Sequence, residues 1–574
     1  MAVSDSGMMR RLPERAAPTR LDALIFKLKT NVFRMQRTLA EIGRAPALLA
    51  RGAPFGVLAA ESRTPLWSDP RDGAMQRGKV HNLRAAARRL DRTVLPAGAV
   101  FSFWRQMGRA SARRGFVAGR MLQEGCLVPA TGGGLCQLSN ALYDVALQAG
   151  CTIVERHGHS RIVPGSAAAA GRDATVAWNY VDLRFAAARE TMLRVIVERD
   201  ALVVRLLVRE EAPPVPSLRE LRTTTSSELE ANNCATCDET ACFRHEARFA
   251  APAGGTAFLV DENWPEFRDY VARARREDDV LALPLNGARA ARYAWPADGF
   301  ARVVPATLTA LARSFALRRA KDGPARRAAE LRGAQALARR LARALTPDVT
   351  AVVVAQSLLP YLWRDGHLGG RRFTVLMTRM PMGEIEARLN AAAAAHPQRR
   401  TLADFRADAA LVAAEREALA AADAIVTPHT EIAALFGDRA VRLDWQLPAP
   451  RPHGAAVAKR IAFPGPTIAR KGAYALRDAA RALDLEVVLT GSELEGSDFW
   501  NGVRTQRAGG NWLDGVAAVA QPALLEDAPR KLLAALAAGV PVIATSACGL
   551  PEQNRLTLIP EDDAAALIAV LKAI

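Results

Sequence analysis

Three stretches of this chain bring reactive residue types close together. The first is GGGLCQLSNALY, residues 132–143. Three glycines let backbone approach closely and expose N–H groups, and the cysteine that follows opens a helical pattern. A thiolate at a helix start is stabilised by the dipole. About twenty residues on, ERHGHS supplies His157 and His159, two apart and so expected on one face of a strand. GRDATV adds Asp173. Cysteine, histidine and aspartate are the nucleophile, base and orienting group that thiol-based acyl or amide chemistry needs. The same residues allow a metal site on Cys136, His157 and His159. They also allow a small buried cysteine after a tight turn.

The second stretch is CATCDETACFRH, residues 234–245, with the spacing C-x2-C-x4-C-x2-H. Cys234, Cys237, Cys242 and His245 can close a tetrahedral Cys3His zinc site; an iron–sulfur cluster is the rival. Such a knuckle between domains has a structural role. Nucleic acid is not expected as a partner, because the knuckle lacks interleaved aromatics and has no basic stripe beyond Arg244 and Arg248.

The third lies near the C-terminus. FPGPTIARKGAYALRDAARAL, 463–483, reads as a strand, a Gly/Pro turn and a basic pair, Arg470-Lys471, at a helix start. Free N–H groups and the positive dipole end favour a diphosphate there. Further on, Glu526 precedes a helix that ends at Gly539 and runs into the strand VPVIATS. In a doubly wound domain this places Glu526 at the carboxyl edge of the sheet, where ligands bind.

Elements of two kinds must position these groups. Residues 78–210 mix helices with alternating strands (CTIVERH, ATVAWNYVDLRF, MLRVIVE, ALVVRLLVRE), an α+β pattern. Residues 211–233 are Pro- and Ser/Thr-rich and read as a linker, and the knuckle occupies 234–250. From 255 onward, short apolar strands (258–260, 280–285, 349–356, 373–378, 424–428, 460–465, 485–491, 515–522, 540–546) are separated mostly by helical stretches. That rhythm means parallel sheets with crossover helices. Its length suits two Rossmann-like domains, 255–445 and 456–574, with a hinge near 445–455. His429, after AIVTP, either faces the cleft between them, caps the next helix or is solvated. Residues 1–77 form a basic tail and a helical segment. Within it Leu21, Leu24, Ile25, Leu28, Val32, Met35, Leu39 and Ile42 share a stripe flanked by Lys27, Lys29, Arg34 and Arg37. The usual fate of such a stripe is packing on its own domain; the alternative is an anionic membrane.

The motifs VLPAGAVFSFWRQMG, RRGFVAG, GGGLCQLSNALYDVAL, ERHGHS, GRDATV and WNYVDLRF, in that order, resemble the VanW family over about 80–210. The glycine–cysteine turn is that family's signature, and with it goes an expected functional site at Cys136, His157 and His159. The region 255–574 resembles the GT-B glycosyltransferases of the Glu-x7-Glu type. The resemblance implies a phosphate-binding Lys471-Gly472, a donor-contacting Glu526, and a tail Ala537–Thr545 that matches A-x-G-x-P-V-I-A-T. Arg470, Gly465 and Gly549 complete the expected donor site. The second glutamate of the motif falls at Ala534. In the family it commonly holds the donor ribose, so donor recognition departs from the pattern here.

The resemblance thus implies an α+β domain followed by an α/β GT-B module. The expected enzyme transfers a hexose from a nucleotide-diphosphate donor to a carbohydrate or lipid-linked acceptor, related to the envelope or an exopolysaccharide. Two other functions fit the same residues: Cys136/His157 thiol chemistry with the GT-B half as a binding module, and non-enzymatic envelope assembly. The charge of +18 suits an acidic partner or a solvated surface. Seven unevenly spaced cysteines are no disulfide framework. With no apolar leader and no run long enough to span a bilayer, the expected location is cytoplasmic, peripheral at the inner membrane face if the 21–42 stripe binds lipid.

Overall fold

The computed structural model describes residues 19–53, 55–67, 73–123, 126–159, 170–209, 232–233, 254–286 and 291–573. The chain divides into two compact units, Met1–Gly254 and Gly255–Ile574.

The N-terminal unit is α+β. Its main sheet is antiparallel, in the order Val57–Pro65, Ala201–Val208, Thr191–Val197, Thr93–Leu95. Ala201–Val208 is paired on both sides, which explains its nearly continuous apolar run. The helices Gly73–Leu90 and Leu135–Gln148 pack on this sheet and bury Leu83, Leu90, Leu138 and Leu142 completely. A smaller antiparallel sheet joins Val100–Ser102, Arg184–Ala186 and Thr152–Glu155 through stacked Phe101 and Phe185. The ATVAWNYVDLRF segment is a strand only from Arg184. Upstream it closes a tight turn, Ala177 against Val181, because Trp104 lies edge-on to Trp178 and donates its Nε1–H to the Val181 carbonyl at 2.8 Å.

The helix Arg20–Ala40 docks with the wrong face inward for an ordinary amphipathic helix. Arg34 Nε donates to the Trp178 carbonyl at 2.9 Å, Arg37 Nη2 reaches Glu155 at 2.5 Å, and Thr30 is buried. The apolar stripe points the other way: Leu21, Leu24, Ile25, Leu28, Val32, Met35 and Leu39 are 40–63% exposed. The expectation that this stripe packs on its own domain is therefore not met. Helical spacing puts Thr30, Arg34 and Arg37 opposite it, and the two arginines are the groups with partners on the domain.

The C-terminal unit holds two wholly parallel sheets, each doubly wound. In the first the order is Arg302–Pro305, Val280–Leu283, Gly255–Leu259, Val349–Ala355, Arg372–Leu376, Ala424–Thr427, Ala440–Arg442. In the second it is Arg504–Arg507, Glu486–Leu489, Arg460–Phe463, Ala518–Gln521, Val542–Ala544, Leu556–Leu558. Both sheets have the strand order 3-2-1-4-5-6, extended by a seventh strand in the first. Both therefore reverse between their first and fourth strands. A crevice opens at the carboxyl ends there, because the loops leave in opposite directions. The two halves share a core: Ala469, Leu524 and Leu525 of the second are buried with Leu402 and Ile432 of the first.

Candidate donor site and thiol site

The reversal point of the second sheet lies between Arg460–Phe463 and Ala518–Gln521. The loop after the first of these strands carries Gly465, Arg470 and Lys471; the loop after the other carries Glu526 and Asp527. Topology thus brings together residues that are 55 positions or more apart in the chain. Lys471 is 7% exposed, and its Nζ lies 2.9 Å from Glu526 Oε1 and 3.8 Å from Asp527 Oδ1. Glu526 is fixed from three sides: Gln521 Nε2 donates to one carboxylate oxygen, the Ala528 amide donates to the other at 2.8 Å, and its own amide donates to the Ala547 carbonyl. Burial pushes the Asp527 carboxyl up, but the charges of Lys471, Arg379 and Arg470 outweigh it and hold Asp527 well below the usual range.

Arg470 lies with its guanidinium over the ring of Phe405, 4.5 Å from the centroid, so it faces the first half of the module. From that half Arg379 reaches Asp527 Oδ2 at 3.3 Å. Lys531 is engaged by Thr490, with Nζ 2.6 Å from Oγ1. The arrangement is a set of cations, partly neutralised by two carboxylates, at the mouth of a parallel sheet. Its chemistry suits a dianionic or trianionic phosphate ligand. Gly472 makes the turn between basic pair and helix: its φ is +83°, and a Cβ there would lie 2.2 Å from the Pro522 carbonyl oxygen. Gly465 is less constrained, its missing Cβ meeting the Lys471 side chain at 3.5 Å and Gln521 Nε2 at 3.7 Å, both ordinary contacts.

His429 is fully buried, away from solvent; it stands at the N-cap position of the Thr430–Phe436 helix, but its side chain makes no capping hydrogen bond. Its ring packs on Gly549, and Nε2 lies 3.2 Å from the Glu526 carbonyl oxygen. Burial lowers its pKa, so the ring is neutral at physiological pH. Gly549 has φ +62°, and a Cβ there would sit 2.2 Å from the His429 ring. Gly549→Ala is expected to lower stability by about 2 kcal/mol or more, from the left-handed backbone and the displaced ring together. A urea denaturation midpoint measures it.

At the reversal point of the first sheet Asp261 is buried, ion-paired to Arg313 at 2.8 Å and accepting from Ser357 Oγ at 2.7 Å. Gln356 Nε2 donates to Glu415 Oε1 at 3.2 Å. No local pattern in the sequence marks these groups as a site. Asp527, Arg379 and Phe405 were also missed. Asp527, next to Glu526, was the only one with a local signal.

In the N-terminal unit Cys136 is the second residue of the Leu135–Gln148 helix, whose cap Gly134 has φ +99°. Gly133 packs where a Cβ would be 2.2 Å from the Gly119 carbonyl oxygen, so the helix start is pressed against the neighbouring hairpin. His157 and His159 do not share a strand face, because the strand ends at Glu155. His157 turns outward to Glu155, with Nε2 3.2 Å from Oε1. His159 turns inward: Nδ1–H donates to Asp173 Oδ2 at 2.7 Å, and its amide donates to the same oxygen at 2.6 Å. Arg156 holds the other Asp173 oxygen at 2.5 Å. The Cys136 sulfur is 3.9 Å from Thr175 Oγ1, and the thiol lies close enough to His159 for each to shift the other's pKa.

Among the described residues no group of three or more His, Cys, Asp or Glu side chains is placed to hold a metal ion. Cys136, His157 and His159 therefore form no such group. Cys234, Cys237, Cys242 and His245, the expected zinc or iron–sulfur ligands, lie outside the described residues. No described helix is long and apolar enough to cross a membrane.

Residues 78–207 match the family model described as VanW like protein, and residues 467–574 match the one described as glycosyl transferases group 1. The chain is 35% identical over 109 residues to the uncharacterized protein YoaR of Bacillus subtilis, covering 19% of this chain and 35% of that protein. It is 36% identical over 118 residues to the vancomycin B-type resistance protein VanW of Enterococcus faecalis, covering 20% of this chain and 42% of that one. The chain thus spans less than half the length of both relatives. Solved structures similar to it include the sucrose-phosphate synthase of Thermosynechococcus elongatus, 14% identical with a TM-score of 0.35 over 56% of this chain and 89% of the other. Another is Anabaena Alr3699/HepE in complex with UDP, 12% identical with a TM-score of 0.33 over the same shares. The chain carries a VanW-like α+β domain and, further along, a group 1 glycosyltransferase domain that forms the second half of an α/β module of GT-B type.

Proposed function

We propose that the C-terminal unit transfers a sugar, of hexose type, from a nucleotide-diphosphate donor to a carbohydrate or lipid-linked acceptor of the envelope or an exopolysaccharide. The observation that carries this reading is the Lys471–Glu526 contact of 2.9 Å at the reversal point of the last sheet. Lys471 and Arg470 neutralise the diphosphate as it leaves, where negative charge develops in the transition state. Glu526 contacts the donor sugar. Gly465 and Gly549 let backbone come close to the donor. The acceptor enters from the first half, on the side of Asp261 and Arg379. A thermal-shift screen against UDP-, GDP- and ADP-sugars tests the donor class, since a ligand of the native state must raise its stability. A flat response to every nucleotide sugar and to the free nucleoside diphosphates overturns the reading.

The acceptor class fits a membrane location, cytoplasmic and peripheral. The helix Arg20–Ala40 supports this: its apolar stripe faces away from the domain, with Lys27 and Lys29 at the two edges of the stripe where snorkelling amines meet anionic headgroups. Leu24→Asp with Leu28→Asp removes two leucines from the acyl boundary, at roughly 1.5 kcal/mol or more each, and should weaken vesicle binding about a hundredfold. Co-sedimentation with phosphatidylserine-containing vesicles measures it. Equal binding of the wild type to pure phosphatidylcholine vesicles in high salt removes the electrostatic part of the proposal.

A further inference from the structure

We propose that Cys136, His159 and Asp173 form a second catalytic site, a thiol nucleophile with its base and orienting carboxylate, which takes an acyl group from an amide or ester donor. This site is independent of sugar transfer and uses none of the donor-site residues.

The geometry has the parts that nucleophilic thiol chemistry requires. Asp173 is buried, and its Oδ2 receives both the backbone and the ring N–H of His159, which fixes the tautomer and the ring plane. Arg156 anchors the carboxylate from the far side through Oδ1, and its own guanidinium lies over Tyr143 of the cysteine helix, 5.3 Å from the centroid. With Nδ1 committed to Asp173, the imidazole has Nε2 left for the thiol. Two further bonds tie the aspartate loop to the cysteine helix: Ser139 Oγ donates to the Ala174 carbonyl at 2.5 Å, and the Ala174 amide donates to Asn140 Oδ1 at 2.8 Å. Base and nucleophile therefore sit on elements locked to each other. Cys136 also stands in the first turn, where the positive end of the helix dipole favours a developing oxyanion, although the Gln137 amide already donates to the Gly134 carbonyl at 3.1 Å.

The charges agree with this. Burial pushes the Cys136 thiol up, but His159, followed by the Val176 backbone and Thr175, outweighs it and lowers the thiol below its ordinary value. His159 is raised to about 9, chiefly by Asp173 and then by Cys136. Glu155 and His157 are the other titratable groups on the same loop. They pair with each other and with Arg37 rather than with the thiol. Cys151 and Cys548 behave oppositely: burial pushes Cys151 up to about 11 and Cys548 up to about 12.

The reaction balances without an oxidant or a metal. The Cys136 thiolate adds to the acyl carbonyl carbon and the carbon–nitrogen or carbon–oxygen bond breaks. His159 Nε2–H gives its proton to the leaving amine or alkoxide, and a thioester remains on sulfur. Water or a second amine then attacks the thioester carbonyl and returns a proton to His159, and the thiolate is regenerated.

The test uses the full chain and p-nitrophenyl acetate, with peptide mass mapping to locate the acetyl group. Acetylation is expected on Cys136 at pH 7, at least about 100-fold faster than on Cys151 or Cys548. His159→Gln and Asp173→Asn should each slow it by about 10- to 100-fold. In the wild type the acetylation rate should rise with pH below the ordinary thiol range, and breakdown of an amide donor should fall away as His159 loses its proton near pH 9. If Asp173→Asn does not fold, the comparison of Cys136 with Cys151 and Cys548 inside one wild-type molecule still decides. Cys136 reacting no faster than those two, or at an unchanged rate in His159→Gln, overturns the proposal.

Discussion

Lys471→Ala is expected to lower kcat/KM for sugar transfer by roughly 100- to 1,000-fold, the usual cost of removing one preorganised charge from a developing anion. The position explains the size of the effect. Lys471 is almost wholly enclosed, so its charge acts through little water, and the turn at Gly472 aims it at Glu526 and Asp527 and not at solvent. The loss should fall mainly on kcat, because the leaving diphosphate carries more charge in the transition state than in the bound donor. Folding is a separable matter. Glu526 keeps the donors Gln521 Nε2 and the Ala528 amide, and Asp527 keeps Arg379, so neither carboxylate is orphaned in the variant. A urea midpoint close to that of the wild type, with steady-state kinetics on the same preparation, isolates the chemical effect. A kcat/KM within about threefold of the wild type would refute the assignment of Lys471 to the leaving group.

The sheets that build this site were legible for a physical reason, and the gaps had one too. All nine apolar segments read from the sequence after position 255 contain a strand. The four strands it missed are Arg302–Pro305, Ala440–Arg442, Arg504–Arg507 and Leu556–Leu558. Every one of them is an edge strand. An edge strand is not enclosed on both sides and needs no apolar run; Arg504–Arg507 is exposed along its whole length. The basic pair and Glu526 were legible because a doubly wound sheet always sends the loops after its first and fourth strands to one crevice. Their partners Arg379 and Phe405 come from the other half of the module, about 70 to 150 residues away in sequence, and no local pattern marks them. The pair His157/His159 was read as two residues on one face of a strand. Two-residue periodicity holds only while the strand lasts, and this one stops at Glu155. The Arg20–Ala40 helix was legible as a helix, but its orientation was not. Its polar face is held by Trp178 and Glu155, more than a hundred residues downstream.

Arg530→Ala is expected to cost about 3 kcal/mol of stability, toward the lower end of the 3–5 kcal/mol typical of a broken buried ion pair because the guanidinium is itself a third exposed. Its partner Glu266 is fully enclosed and accepts both Arg530 nitrogens, at 2.8 and 2.5 Å, as well as the Gln446 amide at 2.8 Å. The cation also lies over Trp264 and Trp445, 4.7 and 5.4 Å from the ring centroids. Glu266 belongs to the first half, Gln446 to the hinge and Arg530 to the second half, so this one carboxylate joins all three. Removing Arg530 leaves a buried charge with a single amide for company, whereas Glu266→Gln with Arg530→Met removes both charges and should recover most of the loss. Arg530→Lys should not, because an ammonium reproduces neither the two-pronged contact nor the stacking. Arg530 opens the helix Arg530–Ala537, on which Ala534 takes the place of the second glutamate. Loosening that helix is therefore expected to raise the donor KM more than it lowers kcat. Chemical denaturation of the single and double variants, with donor KM measured on each, tests both parts: additive stability losses in the double variant would show that the pair does not couple the halves.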